Sequence, residues 1–399
     1  MFIAPVIPIT VNGQRKILIL EPKGTPKLPS PPLVEEWKQW NTQRKLVSLA
    51  ELIASHDFEK KKEIAVCGLN NRSNLCYLNS ILQALLHCPL FASLIVDIRL
   101  KTHHEVTDQL SVLSAFVNFT TQYEMFASRS GVFSSRSFFT EISRHPNFRH
   151  LEPGRQQDAQ EFMGYLLDTL EQTFDQALEQ EPAVPAEVVE PQVVDEWVQV
   201  GKHRKPIIER VNGKEATLAN PILKLFGGKM RNILRQRGKS DSITLDPFQQ
   251  VLLDITPVDV TSVQSALDHM LVPETLIFDK NGHIVEATKQ LEFARIPPIL
   301  TMFIKRFTFI NREGTWDIGK ISKQIDIDDV QIPCNGELLA YRPIAIVYHH
   351  GSSATSGHYT TKVRSNDGWL GIDDEYIYKS KHMDIAGESA YMAFYERVE

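Results

Sequence analysis

Residues 68–80 read Gly-Leu-Asn-Asn-Arg-Ser-Asn-Leu-Cys-Tyr-Leu-Asn-Ser, a polar loop that runs into the beginning of an apolar segment. The apolar residues after Cys76 have the spacing of one buried helical face, and they are Leu78, Ile81, Leu82, Leu85 and Leu86. Asn74 has a side chain suited to a helix N-cap. The sequence therefore predicts that the thiol of Cys76 lies in the first turn of a helix.

A cysteine at that position is suited to nucleophilic chemistry, because a thiol reacts as its thiolate. The unpaired N–H groups and the partial positive charge of a helix N-terminus both favour the anion. A neighbouring imidazole would complete the activation by accepting the proton. The other cysteines, Cys67, Cys88 and Cys334, do not lie at such a junction and are interpreted as small core residues.

Candidate imidazoles flank a polar loop bounded by glycines, residues 351–357. His358 follows this loop and opens a run with strand character. His349 and His350 precede the loop and are rival bases. Spacing favours His358 but leaves the other two open.

An acid is expected beside His358 because the chain turns back on itself. Residues 369–372 form a second run with strand character after a turn at residues 366–368. The resulting hairpin would return Asp373 to His358, where an acid orients the ring and stabilises the imidazolium. Asp374 is hard to separate from Asp373 on sequence alone.

At these residues the chain resembles the ubiquitin-specific proteases, which are cysteine deubiquitinases. The stretch around Cys76 is similar to the Cys box of the family, and residues 348–359 are similar to its His box. Residues 154–162, Gly-Arg-Gln-Gln-Asp-Ala-Gln-Glu-Phe, and residues 296–307 resemble two further family signatures. The four motifs occur in the family's order within residues 66–399.

The resemblance implies a role for each site residue. Cys76 matches the nucleophile, His358 the catalytic histidine, and Asp373 the acid that aligns the histidine. Asn71 matches a residue whose amide supports the oxyanion, and Asp374 matches a second acid that supports the oxyanion or the histidine. A preorganised amide donor of this kind is worth roughly 3–4 kcal/mol. A buried structural amide is the alternative for Asn71.

The resemblance also implies a site for the basic tail of ubiquitin. Carboxylates accept paired hydrogen bonds from guanidinium groups, so Asp158 and Glu161 are candidate partners, with Gln157 beside them. Acids at a helix N-terminus are the alternative for both carboxylates. Tyr359 is a candidate wall of the channel for the two glycines of ubiquitin, with a core tyrosine as the alternative.

Two residues depart from the usual wording of the Cys box. Leu75 replaces a common threonine, and Ser73 replaces a common glycine. Glycine is used where the backbone needs a positive φ or where a ligand comes close. Ser73 is therefore expected to strain the loop, and this expectation motivates an alternative function, a pseudoenzyme that binds ubiquitin without efficient cleavage. A third hypothesis is an enzyme that acts on another ubiquitin-like modifier.

The predicted fold class is α+β, a papain-like cysteine protease fold with a helical first half and a β-rich second half. Residues 1–65 are predicted to form an N-terminal extension and residues 66–399 the catalytic domain. The family's lobes would be the thumb at residues 66–196, the fingers at 197–295 and the palm at 296–399. Residues 179–196 are acidic and rich in proline, which is typical of a flexible insert.

The expected elements follow from apolar periodicity. Helices are predicted at residues 46–53, 112–126, 134–142, 162–178 and 263–270. Strands are predicted at residues 248–255, 299–310, 343–348 and 390–398.

Composition points to an enzyme of a reducing compartment. The chain has 399 residues, 42% of them hydrophobic, and four cysteines without the close pairing of a disulfide framework. No apolar run has the length of a membrane span, and the first residues lack the basic start of a signal peptide. We therefore expect a cytoplasmic protein, with the nucleus as a second compartment and no membrane partner.

Charge bears on partners and metals. The formal net charge of -6 gives no case for nucleic acid. Residues 202–239 are rich in lysine and arginine, either as a solvated face or as a docking surface for an acidic partner or for ribosomal RNA. Zinc sites of this family use Cys-x-x-Cys pairs, which this chain lacks, and His283 cannot replace them alone. No metal and no cofactor are therefore predicted.

Overall fold

The computed structural model describes residues 6–11, 14–19, 46–102, 112–128, 131–180, 198–200, 207–211, 219–280, 283–312, 315–351, 353, 356–381, 385–387 and 389–398. Contacts divide the chain into two compact units, Met1–Lys45 and Leu46–Glu399. The described part of the first unit is an antiparallel hairpin of β1 (Val6–Val11) and β2 (Gln14–Ile19). The second unit contains every residue of the candidate site.

Helices dominate the beginning of the second unit. Their bounds are α1 Leu49–Ser55, α2 Cys76–Leu86, α3 Pro89–Lys101, α4 Val112–Ala127, α5 Arg136–Ile142, α6 Ala159–Gln180, α7 Pro221–Phe226 and α8 Val263–Leu271. A 3-10 turn at Pro146–Phe148 precedes α6. The helices expected at residues 112–126, 162–178 and 263–270 are confirmed.

Strands dominate the rest of the second unit. Their bounds are β3 Gly68–Asn70, β4 Val132–Ser134, β5 Val198–Val200, β6 Ile207–Val211, β7 Gly228–Gln236, β8 Ser242–Phe248, β9 Gln250–Asp254, β10 Glu274–Lys280, β11 His283–Arg295, β12 Ile299–Lys305, β13 Phe307–Arg312, β14 Thr315–Lys320, β15 Val330–Cys334, β16 Glu337–His350, β17 His358–Ser365, β18 Gly368–Asp373, β19 Tyr376–Ser380 and β20 Ala390–Arg397.

One large sheet organises the described strands. Its main path runs β19-β18-β17-β16-β15-β11-β7-β8-β6-β5. From β16 a second path leads through β20 to β12 and then to β9. The predicted helical first half and β-rich second half are therefore confirmed.

The two faces of this sheet are buried in different cores, because side chains alternate along a strand. On β16, Ala345 and Val347 belong to the core that contains α2 and α6. Ile346 and Tyr348 point to the other face and belong to the core that contains α8. One face of β16 therefore packs on the core that contains α2 and α6, and the opposite face packs on the core that contains α8.

The α2 helix is buried on every side, although its apolar residues have the spacing of a single face. Three of its buried polar side chains, Asn79, Ser80 and Gln83, have hydrogen-bond partners. Gln83 donates from Nε2 to the Cys67 carbonyl at 2.7 Å and accepts at Oε1 from the Tyr123 hydroxyl at 2.6 Å. Buried polar groups need such partners, so these glutamine bonds fix the helix among its neighbours.

Residues 46–65, which were predicted to belong to the N-terminal extension, lie in the second unit. The α1 helix has a capping box between Ser48 and Glu51. Its Leu52, together with the later Phe58, lies in the core that contains α2. The apolar residues of this stretch account for the difference, because they are buried against the helical half.

Two predicted strands are interrupted. Residues 248–255 divide into β8 and β9 at Gln249, and residues 299–310 divide into β12 and β13 at Arg306. Arg306 is fully buried, and its guanidinium donates to the carbonyls of Ile321, Lys323, Gly387 and Ala390. Arg306 therefore interrupts the predicted strand, and its hydrogen bonds hold the neighbouring backbone segments in place.

Some predictions fall outside the described residues. Of the predicted insert at 179–196, residues 179 and 180 continue α6 and the remainder lies outside the described residues. The basic stretch 202–239 is described only in part. Within the described residues, no single helix is long and apolar enough to cross a membrane; α2 and α3 pass that test only together, and they are bent by 89°.

Candidate active site

Cys76 is the first residue of α2 and is only 2% exposed. The predicted cap at Asn74 is wrong, because the N-cap residue is Leu75 and its side chain makes no cap bond. Asn74 instead has φ 55° and donates from Nδ2 to the Gly154 carbonyl at 2.9 Å. The Leu75 N–H donates to Asn71 Oδ1 at 2.7 Å, so Asn71 braces the start of the helix.

The loop before the nucleophile carries its positive φ at Asn74 and not at Ser73. Asparagine visits the left-handed region more readily than most residues. The expected strain at Ser73 is therefore wrong, since serine at that position needs no left-handed backbone. The alternative of a pseudoenzyme depended on that strain, so it loses its structural support.

His358 is the first residue of β17, and its imidazole lies within hydrogen-bonding reach of the Cys76 thiol, which raises the pKa of the ring. The strand is held against α2 partly by the Thr361 hydroxyl, which donates to the Ser80 carbonyl at 3.1 Å. The nucleophile and the imidazole thus come from different halves of the unit and meet where β17 packs on α2.

The hydrogen bond with Cys76 is the largest cause that raises the pKa of His358, which reaches about 9. Burial opposes the shift, and the hydrogen bond with Asp373 and the charges of Cys76 and Asp373 add to it. An imidazole with a raised pKa remains protonated at neutral pH. The site therefore favours an imidazolium beside the sulfur, which is the protonated partner that a thiolate needs.

His349 and His350 do not compete for this position. His349 is 1% exposed, and burial lowers its pKa to about 4. Its ring lies 4.7 Å from that of Tyr359, in the core of the sheet. His350 bonds through Nε2 to the Thr360 hydroxyl at 2.8 Å, and burial lowers its pKa as well. Both rings are therefore neutral near pH 7, and their contacts with Tyr359 and Thr360 join the two strands that flank residues 351–357.

The hairpin predicted from the sequence, β17 followed by β18, brings an acid back to the histidine. Asp373 ends β18, and its Oδ1 accepts from His358 Nε2 at 2.6 Å. Asp374 Oδ2 is 4.0 Å from the same nitrogen. Because Nε2 faces Asp373, the other ring nitrogen, Nδ1, is the one available to the thiol.

Asp374 has a different set of partners. It has φ 49°, and its side chain is 13% exposed. Its Oδ2 accepts from Asn71 Nδ2 and its Oδ1 from Asn79 Nδ2, both at 2.8 Å. Burial raises the pKa of Asp374, and the two amide bonds oppose that shift.

The amide network continues into the helical core. Asn79 is 2% exposed, and its Oδ1 accepts from the Ser135 hydroxyl at 2.6 Å. The chain of bonds therefore runs from Ser135 through Asn79 and Asp374 to Asn71. With Oδ1 on Leu75 and one Nδ2 proton on Asp374, Asn71 has a single amide proton left to donate.

The residues expected to bind the ubiquitin tail lie around the N-terminus of α6. Asp158 caps this helix, since Oδ1 accepts from the N–H groups of Gln160 and Glu161 at 2.7 and 3.1 Å. Its other oxygen accepts from the Tyr391 hydroxyl. Glu161 is exposed and Gln157 half-buried. The cap interpretation of Asp158 thus describes its present contacts, and Glu161 is the more accessible carboxylate.

Tyr359 is 5% exposed and lies in the core beside α2. Its ring is 5.9 Å from that of Tyr391, and burial raises its pKa. The alternative of a core tyrosine, which the sequence left open, is the one that matches this position.

Residues that sequence reasoning missed include Asn79, Ser135 and Gln156. Asn79 was visible as a polar residue inside an apolar helical pattern, which is a signal of a buried hydrogen bond. Gln156 pairs with the backbone of Gly357, and no local pattern marks that contact.

The ligand atoms of His358, Asp373 and Asp374 lie within 4.8 Å of one another. This cluster is the histidine–acid pair already described, with its imidazole nitrogen hydrogen-bonded to Asp373. The expectation of no bound metal stays a prediction.

An imidazole held between a thiol and a carboxylate is the arrangement of a cysteine hydrolase. Comparison with known proteins agrees with this class of enzyme and also identifies the family within it. The family model described as ubiquitin carboxyl-terminal hydrolase matches residues 67–395. The chain belongs to the ubiquitin carboxyl-terminal hydrolase family, and it is a ubiquitin-specific thiol hydrolase.

Individual relatives carry the same name. Probable ubiquitin carboxyl-terminal hydrolase 3 of Schizosaccharomyces pombe is 31% identical, over 91% of this chain and 76% of its own length. Ubiquitin carboxyl-terminal hydrolase 10 of Rattus norvegicus is 27% identical, over 97% of this chain and 56% of its own length. The chain thus spans about half of the second relative.

Solved structures share the fold. The yeast SAGA deubiquitinase module has a chain that matches with a TM-score of 0.63 and 20% identity, over 92% of this chain and 74% of that one. The SAGA Ubp8/Sgf11/Sus1/Sgf73 module bound to ubiquitin aldehyde gives a TM-score of 0.63 with 19% identity, over the same shares of both chains.

Proposed function

We propose that the protein hydrolyses the isopeptide bond after the C-terminal glycine of ubiquitin on modified proteins or chains, with Cys76 as the nucleophile. The observation that carries the proposal is the placement of His358 between two groups: Cys76, which raises the pKa of the imidazole, and Asp373, which accepts from Nε2 at 2.6 Å. Membership of the ubiquitin carboxyl-terminal hydrolase family supplies the modifier.

The reaction takes two steps. The Cys76 thiolate attacks the carbonyl carbon of the terminal glycine, and the C–N bond breaks as His358 gives its proton to the departing lysine amine. A thioester remains. His358 then takes a proton from water, the hydroxide attacks the thioester, and ubiquitin leaves with a free carboxylate while the thiolate is restored.

Asn71 is the proposed oxyanion donor. Its remaining amide proton and the N–H of Cys76, which has no carbonyl partner within α2, are the two donors proposed for the oxyanion at the start of this helix. Asp374 cannot donate as a carboxylate, so its role in the oxyanion site is to orient Asn71.

Ubiquitin is the proposed partner, as it is for the SAGA module bound to ubiquitin aldehyde. Glu161 is accessible to the basic tail, and Gln157 lies beside it. Asp158 would meet the tail only through lone pairs that its cap bonds leave open. The cytoplasm, with the nucleus as a second compartment, remains the proposed location.

An acidic partner at residues 202–239 is a weaker proposal. Three described cations of that stretch already have intramolecular partners. Arg231 lies 3.4 Å from Glu292, Arg235 lies 3.3 Å from Asp241, and Lys224 lies over the ring of Phe58.

The test is reaction with ubiquitin that carries a C-terminal electrophile. Wild type should form a covalent adduct, and Cys76→Ala should form none while it still binds ubiquitin in calorimetry. Cys334→Ala is the matched control, because Cys334 is also buried but lies in the other core. Unchanged turnover in Cys76→Ala would overturn the proposal. An adduct formed only with another ubiquitin-like modifier would replace ubiquitin as the substrate.

A further inference from the structure

The polar segment of residues 154–158, here called the brace, contacts both loops of the active site. At one end, the Gly154 carbonyl accepts from Asn74, two residues before the nucleophile. At its centre, Gln156 bonds to Gly357, the residue before His358. At its other end, Asp158 accepts from Tyr391 of β20 and caps α6. One short stretch therefore links the helix N-terminus, the histidine loop and the sheet.

The central contact has an unusual form. Gln156 Nε2 donates to the Gly357 carbonyl at 2.8 Å, and Gln156 Oε1 accepts from the Gly357 N–H at 3.0 Å. A single side-chain amide thus satisfies both backbone groups of one residue, as a neighbouring strand would. Such a pair of bonds fixes the orientation of the peptide as well as its distance.

Gly357 needs this support because it has no side chain of its own to anchor the loop. A Cβ atom built on Gly357 would lie 2.3 Å from His349 Nε2 and 2.6 Å from the His350 carbonyl. Close packing against the end of the preceding strand therefore leaves no room for any residue larger than glycine at this position. Only the backbone N–H and carbonyl of Gly357 can form the hydrogen bonds that hold the residue before β17 in place.

We propose that Gln156 is a positioning residue, which holds the imidazole of His358 against the Cys76 thiol by clamping both backbone groups of Gly357. The inference rests on the proposed roles of Cys76 and His358. Gln156 itself does not touch the reacting atoms in this arrangement. Its loss should leave ubiquitin binding intact and reduce the fraction of molecules in which the thiol and the imidazole are aligned.

The experiment compares Gln156→Met with Gln160→Met. Gln160 also joins the two halves through its amide, which donates to Gln250 Oε1 at 3.0 Å, but it does not reach the histidine loop. Both variants remove one glutamine amide near the start of α6 and keep a side chain of similar length. A general loosening of the two halves should therefore affect both variants, whereas loss of the clamp affects one.

Two readouts separate positioning from substrate contact. The first is steady-state hydrolysis of a ubiquitin C-terminal fluorogenic amide, together with the Kd for ubiquitin measured in a Cys76→Ala background. The second is the rate at which iodoacetamide alkylates Cys76 across the neutral and alkaline range, followed by mass spectrometry of the Cys76 peptide. Alkylation needs the thiolate but does not need ubiquitin.

Gln156→Met should lower kcat by about 100-fold, the order of loss from a displacement of about 1 Å in a reacting group. Its Kd for ubiquitin should not change, and alkylation at neutral pH should slow. Gln156→Glu retains the acceptor for the Gly357 N–H but, when ionised, cannot donate to the carbonyl, so its activity should lie between those of Gln156→Met and wild type. Gln160→Met should match wild type in kcat and in alkylation.

Other outcomes would overturn the inference. Wild-type kcat and alkylation in Gln156→Met would show that the clamp does not control alignment. A weaker Kd with unchanged alkylation would make Gln156 a ubiquitin contact instead. If wild type itself does not cleave ubiquitin, the proposed function fails, and the alkylation rates still decide whether Gln156 aligns the thiol and the imidazole.

Discussion

The two neighbouring acids Asp373 and Asp374 should have separable roles, which matched asparagine variants can distinguish. Asp373→Asn keeps an oxygen that can accept from His358 Nε2 but removes the negative charge. Asp374→Asn keeps a side chain of the same shape, but one of its two acceptors becomes a donor. In the present structure those acceptors serve the amides of Asn71 and Asn79.

The size of each effect follows from burial. The side chain of Asp373 is 45% exposed, so its loss should cost the fold about 1 kcal/mol or less. The side chain of Asp374 is 13% exposed, and its partner Asn79 is 2% exposed. A buried amide left without an acceptor costs about 1–3 kcal/mol. Asp374→Asn should therefore lower Tm by more than Asp373→Asn does.

The pH dependence of turnover should be changed more by Asp373→Asn than by Asp374→Asn, which is the reverse of their order in Tm. The pKa of His358 is about 9, so wild-type turnover should fall as pH rises through about 9 and the imidazolium loses its proton. The hydrogen bond and charge of Asp373 both raise that pKa. Asp373→Asn should therefore move the alkaline limb to lower pH. Asp374→Asn should reduce kcat through a misdirected Asn71, by at most the roughly 10²–10³-fold of a lost oxyanion donor.

The assay is turnover of a ubiquitin C-terminal fluorogenic amide across pH, with Tm measured on the same samples. A larger drop in Tm for Asp373→Asn, or a shifted alkaline limb in Asp374→Asn alone, would refute the assignment of the two acids.

Further predictions concern the loop, the insert, zinc and the pH dependence of stability. Ser73→Gly should change turnover by no more than about 0.5 kcal/mol in activation free energy, because the left-handed residue is Asn74; a tenfold gain would restore the strain hypothesis. Deletion of residues 181–195 with a short flexible bridge should cost about 1 kcal/mol or less in catalytic efficiency, and a hundredfold loss would link this acidic stretch to the cleft. Elemental analysis should find zinc well below stoichiometry and chelators should leave Tm unchanged, whereas stoichiometric zinc would reveal a site that the cysteine pattern does not mark. The pKa of His358 rises from 6.5 to about 9, so its proton stabilises the fold fully below pH 6.5; the Tm advantage of wild type over His358→Ala should decline between those values, and a constant difference would contradict the shift.

Much of the site was visible in the sequence, because each motif is local. The residues around Cys76 have the periodicity of a helix, and the run from His358 through Asp373 has the pattern of a hairpin. A cysteine, a histidine and an acid with these local settings identify thiol chemistry before any fold is known. The resemblance to the ubiquitin-specific proteases then selected His358 over its rivals.

Side-chain direction was not visible in the same way. Asn74 looked like a cap, but its positive φ turns its amide toward Gly154. Tyr359 was a candidate for the substrate channel, but strand alternation turns it into the core. Composition and spacing do not specify φ at a loop residue or the face of a strand that a lobe will cover.

The sequence by itself determined the chemistry, the order of the motifs and the division into helical and β-rich halves, since these depend on residue type and short-range periodicity. Only the tertiary structure decided that Asp373 faces the imidazole while Asp374 holds Asn71 and Asn79. It also decided that Gln156 meets Gly357, a contact between residues 201 positions apart. Such contacts arise from the packing of β17 on α2. Local propensity depends on residues close in sequence, so it cannot specify the distance between two loops that become neighbours only in the folded protein.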